Sequence, residues 1–247
     1  MLHAGGNAVD AAVATGFALA VTHPEAGNIG GGGYMVIRMA DGRVAALDYR
    51  ELAPKAAARE MFMDSASRAE RASEIGPRAV GVPGSVLGMI TAKQEFGSKL
   101  PLSKVLAPAI RLAEKGFIVD TALARSLANN QRRIGRFAGA SLFLPHGKPL
   151  VAGQRLVQPA LAQTLRAIAL HGAKGFYTGP VAAAIAAEQE QDGGLITLED
   201  LKAYHVAWRD PLRGTYRGYT LLTMPPSSSG GITVMPPELE GGIVISV

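Results

Sequence analysis

The segment "LDYRELAP", residues 47–54, sets an arginine among acids: Asp48, Tyr49, Arg50 and Glu51 in a row. A guanidinium is a planar fork of donors that matches both oxygens of a carboxylate, so Arg50 can hold the acid group of a substrate. It can equally close an ordinary ion pair with Asp48, Glu51 or another acid. The two readings differ in magnitude. Truncating one member of a desolvated Arg–carboxylate pair costs roughly 2–5 kcal/mol, whereas an exposed pair contributes about 0–1 kcal/mol. Asp48 and Glu51 flank Arg50 and can orient it. Glu199 and Asp200 open a helix and read as capping groups, so no carboxylate pair has to be a general acid and base.

A second stretch, "THPEAGNIGGGGYMVIR" at residues 22–38, holds four consecutive glycines. A dinucleotide fingerprint needs G-x-G-x-x-G opening a helix after a strand. Gly30 and Gly32 meet the first two positions, but the third falls on Met35, and here a helix pattern precedes and a strand pattern follows. No Lys-Ser or Lys-Thr closes a P-loop. Glycines here serve either a tight crossing of chain segments or a cavity wall. His23 reads as a hydrogen-bonded residue at a helix end. His3, His146, His171 and His205 are scattered without metal-ligand spacing, and there is no cysteine, so thiol chemistry and histidine or cysteine metal sites are not expected. "PPSSSGG", Pro225 onward, offers hydroxyls and amides to an oxyanion but lacks the G-x-S-x-G elbow and reads as an exposed turn.

These groups need elements to carry them. Asn7 can cap a helix, with Asp10 at its third position in a variant capping box. The run "NAVDAAVATGFALAV" is apolar nearly all round and predicts burial on several sides. Tyr34 to Met39 and Val44 to Tyr49 read as a strand and its return, joined at Asp41-Gly42 by a two-residue type I′ turn. From Ser85 the pattern is helical. "SVLGMITAKQEF" stops at Gly97, "SKVLAPAIRLAEK" at Gly116, "DTALARSLANNQRR" starts at the Asp120 cap, "PALAQTLRAIALH" stops at Gly172, and "PVAAAIAAEQEQ" opens on Pro180. Thr197 with Asp200 caps "LEDLKAY", and "GTYRGYTLLTM" reads as a strand. Hairpins around a helical middle favour α+β or layered α/β. No linker divides the 247 residues.

The composition fits a folded chain with a sizeable core: 48% hydrophobic and 18% charged residues. The net charge is +5, and its richest cluster is Arg125, Arg132, Arg133 and Arg136. No aromatics interleave with that cluster as a stacking platform, so it reads as a solvated helix face and no nucleic-acid partner is expected. The most apolar run, Ala8 to Val21, is too short for a membrane span. The first residues hold no charged and apolar succession of a signal peptide.

"GGNAVDAAVATGFALAVTHPEAGNIGGGGYMVIR", "LDYRELAP", "GFIVD", "GGLITLEDLKAY" and "YRGYTLLTMPPSSSGG" occur in that order. Together they resemble the large-subunit portion of gamma-glutamyltranspeptidase, or glutathione hydrolase, from about Leu2 to Ile232. The resemblance implies an α+β fold: part of the four-layer αββα sandwich of N-terminal-nucleophile hydrolases, incomplete without a small subunit cut from the same precursor. It implies a substrate that is glutathione or another gamma-glutamyl compound, no cofactor and no metal. A newly freed N-terminal Thr of the small subunit is the nucleophile. Arg50 maps onto the family's R-E-x-A-P arginine and takes the substrate carboxylate. The glycine loop becomes a frame beside the sheet. The family's Thr-Thr-His-x-Ser motif is not found here, so no catalytic residue is expected in this chain, which by itself is expected to be inactive. Residues 1–232 are expected to form the family region, incomplete at its start, and 233–247 a divergent tail in which Pro236-Pro237 forbids a helix. The chain reads as a fragment, truncated or frameshifted. The family points to the periplasm or exterior, and the chain as it stands to the cytoplasm. The alternatives are a related cephalosporin-acylase-like enzyme and a non-catalytic fragment with an open sheet edge.

Overall fold

The structure, a computed structural model, describes residues 1–230. The Gly231-Ile232 boundary and the 233–247 tail expected above lie outside the described residues. Eleven α-helices are found among the described residues: α1 (Ala8–Thr22), α2 (Ser65–Glu70), α3 (Ser85–Phe96), α4 (Leu102–Lys115), α5 (Thr121–Asn129), α6 (Gln131–Ile134), α7 (Ala140–Phe143), α8 (Pro159–His171), α9 (Lys174–Tyr177), α10 (Gly179–Gln191) and α11 (Leu198–Ala203). Seven strands accompany them: β1 (Tyr34–Arg38), β2 (Val44–Asp48), β3 (Phe117–Ile118), β4 (Arg155–Leu156), β5 (Ala207–Arg209), β6 (Leu212–Tyr216) and β7 (Tyr219–Thr223). The expected mixture of helix and antiparallel sheet is present.

The capping box that opens α1 is formed. Asn7 Oδ1 accepts from the N–H groups of Val9 and Asp10, and Asp10 Oδ2 accepts from the Asn7 N–H at 2.8 Å. α1 then buries Val9, Val13, Phe17 and Val21, packing against α3 and α4, while α4 packs on α8. Burial is not all round: Ala8, Ala12, Thr15 and Leu19, spaced four, three and four apart, form one open stripe. The same cluster takes in Ile37 and Leu47 from the sheet. Each such large side chain taken fully out of water contributes roughly 1.5–3 kcal/mol. A smaller cluster, Val119, Leu123, Leu127, Leu150 and Leu156, holds β3 and β4 against α5.

The principal sheet has the order β1-β2-β5, all antiparallel. Its register sets Tyr34 opposite Asp48 and Leu47 opposite both Met35 and Trp208. The first hairpin is where the sequence places it, but its turn is different. Gly42 has φ +90° while Asp41 stays in the ordinary region. The Gly42 N–H reaches the Met39 carbonyl and the Met39 N–H the Arg43 carbonyl, which makes a three-residue loop with one left-handed residue at its end. Asp41 Oδ1 accepts the Arg43 N–H at 3.0 Å, a local bond that favours this geometry over type I′. The two-residue primed turn occurs instead at Arg217-Gly218, φ +49° and +82°, inside the stretch expected to be a single strand. That stretch is the β6–β7 hairpin, closed by the Tyr216–Tyr219 pair. The helix expected from Asp120 through Arg133 breaks at Asn130 into α5 and α6.

Candidate functional site

Arg50 leaves β2 just after the strand ends, and its backbone is held on both sides. Its N–H donates to Asp48 Oδ1 at 3.1 Å, and its carbonyl accepts the Tyr204 hydroxyl at 2.9 Å. The guanidinium itself is open, with the side chain 55% exposed. Nε is 3.5 Å from Glu51 Oε2, so the ion pair foreseen as the ordinary alternative exists, and it is a partly exposed one. The guanidinium carbon lies 5.8 Å from the centre of the Tyr34 ring, within reach of a cation–π attraction. Asp48, only 13% exposed, turns its other oxygen to Arg209 on β5 at 3.1 Å. Asp48 therefore spends its charge on Arg209 and orients Arg50 through the backbone only.

The segment on which Arg50 rides is gripped by glycines. The Gly33 and Tyr49 backbones exchange hydrogen bonds at 3.2 and 2.9 Å. A Cβ at Gly32 would lie 2.6 Å from the Tyr49 carbonyl oxygen and 2.7 Å from the Glu51 nitrogen, both rigid backbone atoms. Gly88 of α3 faces the Tyr49 side chain with no room for a Cβ. The Gly31 carbonyl accepts the N–H groups of Gly84 and Ser85 at 2.8 and 2.9 Å, satisfying two donors at the start of α3. The four-glycine loop is thus a close crossing between the β2 exit and α3. Beyond Arg50, Leu52 and Val82 form a mutual backbone bridge, and the Lys55 N–H donates to Asp200 Oδ1 at 2.8 Å.

Tyrosines furnish neutral donors around the site. Burial raises the Tyr49 pKa, and burial together with the nearby charges of Asp48 and Glu51 and the Tyr49 side chain raises that of Tyr204. Both remain protonated near neutral pH. Burial pushes the Asp200 carboxyl up, but the Lys55 N–H, the Thr197 hydroxyl and N–H, and the Lys55 charge outweigh it and hold it below its ordinary value.

Three contacts had no signal in the sequence. Tyr204 and Asp200 reach Arg50 and Lys55 across about 150 residues. The serine loop reaches the site through Ser227 Oγ, 2.7 Å from the Tyr34 hydroxyl. His23 caps the end of α1, its N–H on the Leu19 carbonyl, and the arginines of α5 and α6 are exposed, as their patterns suggest. A cavity of about 460 Å³ between Pro24-Glu25 and α5–α7 has none of residues 48–51 in its wall. No cluster of three or more possible metal ligands occurs among the described residues, and none of their helices is long and apolar enough to cross a membrane. The arrangement presents an accessible guanidinium on a backbone fixed from both sides, a geometry chemically able to receive an anion.

The profile of the gamma-glutamyltranspeptidase family matches residues 1–238. The glutathione hydrolase proenzyme of Escherichia coli is 47% identical over 238 residues, which is 95% of this chain and 41% of that protein. An acylase ACY 1 proenzyme from Pseudomonas is 43% identical over 98% of this chain and 45% of its own length. Among solved structures, the gamma-glutamyltranspeptidase of Helicobacter pylori superposes with a TM-score of 0.89 at 46% identity, covering 93% of this chain and 66% of that one. The chain spans about two fifths of the length of the curated relatives it matches.

Proposed function

The chain belongs to the gamma-glutamyltranspeptidase family, and from that membership we infer that it supplies the donor-anchoring half of an enzyme that cleaves gamma-glutamyl amides, with glutathione as donor. The observation that carries this reading is Arg50: an accessible guanidinium on an otherwise immobilised backbone, at the end of a sheet strand. Its fork takes the α-carboxylate of the gamma-glutamyl group. Glu51 and the Tyr34 ring hold the guanidinium plane while leaving its outer donors free for that carboxylate.

The bond-breaking group comes from a second segment of the same precursor. A newly exposed N-terminal Thr attacks the gamma-carbonyl. Its own α-amine, with an ordinary pKa of about 7.7–8, takes the hydroxyl proton near neutral pH. The amine leaving group departs with that proton, and water or an acceptor amine then releases the glutamyl group from the ester. No Thr-Thr pair occurs in these 247 residues, and on this reading the nucleophile lies on that second segment and the chain by itself is expected to give no turnover. On this reading residues 1–232 belong to the family's large-subunit region, and the profile match runs on to residue 238. An exported location follows from the family alone.

Similarity to the acylase proenzyme favours a second reading, in which the donor is a different acyl amide. An anchor for an α-carboxylate weighs toward the glutamyl donor. Release of chromophore from a gamma-glutamyl anilide tests the first reading. The purified chain is expected to give none, and the chain co-expressed with the remainder of its precursor is expected to give release. Turnover by the chain alone, or faster cleavage of a non-glutamyl acyl amide by the complete protein, would reject it.

A further inference from the structure

We propose that α11 is a clamp on the Arg50 segment, with Tyr204 as a positioning residue for the guanidinium that anchors the donor. This rests on the reading of Arg50 given above and adds to it the element that holds Arg50 in place.

Two ties fasten α11 to the stretch that leaves β2. At its end, the Tyr204 hydroxyl donates to the Arg50 carbonyl at 2.9 Å. At its start, Asp200 Oδ1 accepts the Lys55 N–H at 2.8 Å. The ties lie five residues apart on the clamped segment and four apart on the helix side, so they fix the direction of residues 50–55 as well as their position. Both tying side chains are themselves fixed. Asp200 Oδ2 accepts the Thr197 N–H and hydroxyl at 2.9 and 2.7 Å, in the capping box that starts α11. Tyr204 is 7% exposed, and its ring lies parallel to that of Tyr177, 6° between planes and 5.6 Å between centres. The Tyr177 hydroxyl in turn donates to the Pro83 carbonyl at 2.8 Å, anchoring the stack to the chain just before α3. Leu201, fully buried, seats the helix in the core. The opposite side of the segment is held by the Leu52–Val82 bridge. Arg50 has no such restraint beyond Cβ except Glu51 and the Tyr34 ring, so the direction in which its side chain leaves the backbone is set by the two peptide planes that flank it. Asp48 holds the N–H side, and Tyr204 fixes the carbonyl side.

Tyr204→Phe removes one hydroxyl and keeps the ring stack. In the matured full-length protein it is expected to raise KM for a gamma-glutamyl donor about fivefold or more while kcat stays within about twofold, with thermal stability lowered only modestly. Arg50→Ala runs in parallel. In the double variant, Tyr204→Phe adds nothing to the Arg50→Ala effect, because its role passes through that guanidinium. A merely structural role would instead lower kcat through loss of correctly folded enzyme and add to Arg50→Ala. Asp200→Asn, whose single oxygen cannot serve both the cap and Lys55, is expected to raise KM in the same sense and stands in if Tyr204→Phe folds poorly. An unchanged KM in a folded Tyr204→Phe protein, or in the folded Asp200→Asn stand-in, with Arg50→Ala impaired, overturns the clamp and leaves the Arg50 reading intact. An unchanged KM in Arg50→Ala overturns both.

Discussion

At the scale of single residues, most of the sequence's polar exceptions turn out to be joints. Asp10 is fully buried, yet its Oδ2 accepts the N–H groups of Asn7 at 2.8 Å and Ser98 at 2.9 Å, tying the start of α1 to the chain that follows α3. Burial alone would raise its pKa. The two N–H bonds, the Ser98 hydroxyl and the Lys93 charge outweigh that and hold it below its ordinary value. A carboxyl whose folded pKa is depressed gives stability that is complete above the unfolded value of about 3.9 and is lost as pH falls through the folded value. Asp10→Asn is therefore expected to lower the unfolding free energy at pH 7 by about 1–2 kcal/mol, by weakening two bonds to a charged acceptor. It should also flatten the loss of stability below about pH 4. Urea titrations at pH 7, 4 and 3 check both; a steeper acid loss in the variant would contradict the assignment. The capping boxes at Asn7 and Thr197 were legible because cap chemistry is local. Tyr204 and Ser227 were not, because a hydroxyl's partner across the fold leaves no mark in its neighbours.

At the scale of elements, glycine decides how closely two segments approach. Gly32 and Gly30 are two residues apart and differ completely in surroundings. A Cβ at Gly32 meets backbone atoms at 2.6 and 2.7 Å, whereas one at Gly30 meets only the Asn28 side chain at 3.5 Å. Gly32→Ala is expected to cost about 1–3 kcal/mol through forced separation of the loop from the β2 exit, and Gly30→Ala less than about 0.5 kcal/mol. Denaturant midpoints of the two variants measure the difference, and equal midpoints would refute the crossing. The sequence excluded a phosphate loop by element order but left frame and cavity wall open. Only the approach of Tyr49–Glu51 distinguishes them. Helix boundaries were readable where Pro opens and Gly closes, as in α8, since these residues act on their own backbone. Turn type was not. The Asp41 side chain bonds the Arg43 N–H and changes the loop, and Arg217, which carries no turn preference of its own, accepts φ +49° beside Gly218 to close β6 on β7.

At the scale of the whole molecule, one core joins the helices to the inner face of the β1-β2-β5 sheet, and the sheet's exit carries Arg50 to the surface. The ordered motifs carried the family likeness. The network that aims Arg50 required the fold, since it draws on residues 34, 51, 204 and 227. On the reading proposed above, the Arg50 guanidinium would anchor the donor's α-carboxylate in the matured full-length protein. Steady-state kinetics of Arg50→Ala in the matured full-length protein, with glutathione as donor, test it most directly. Removing the fork is expected to raise KM by at least about 30-fold, equivalent to about 2 kcal/mol, with kcat within about threefold. A KM equal to that of the unaltered protein would contradict the account.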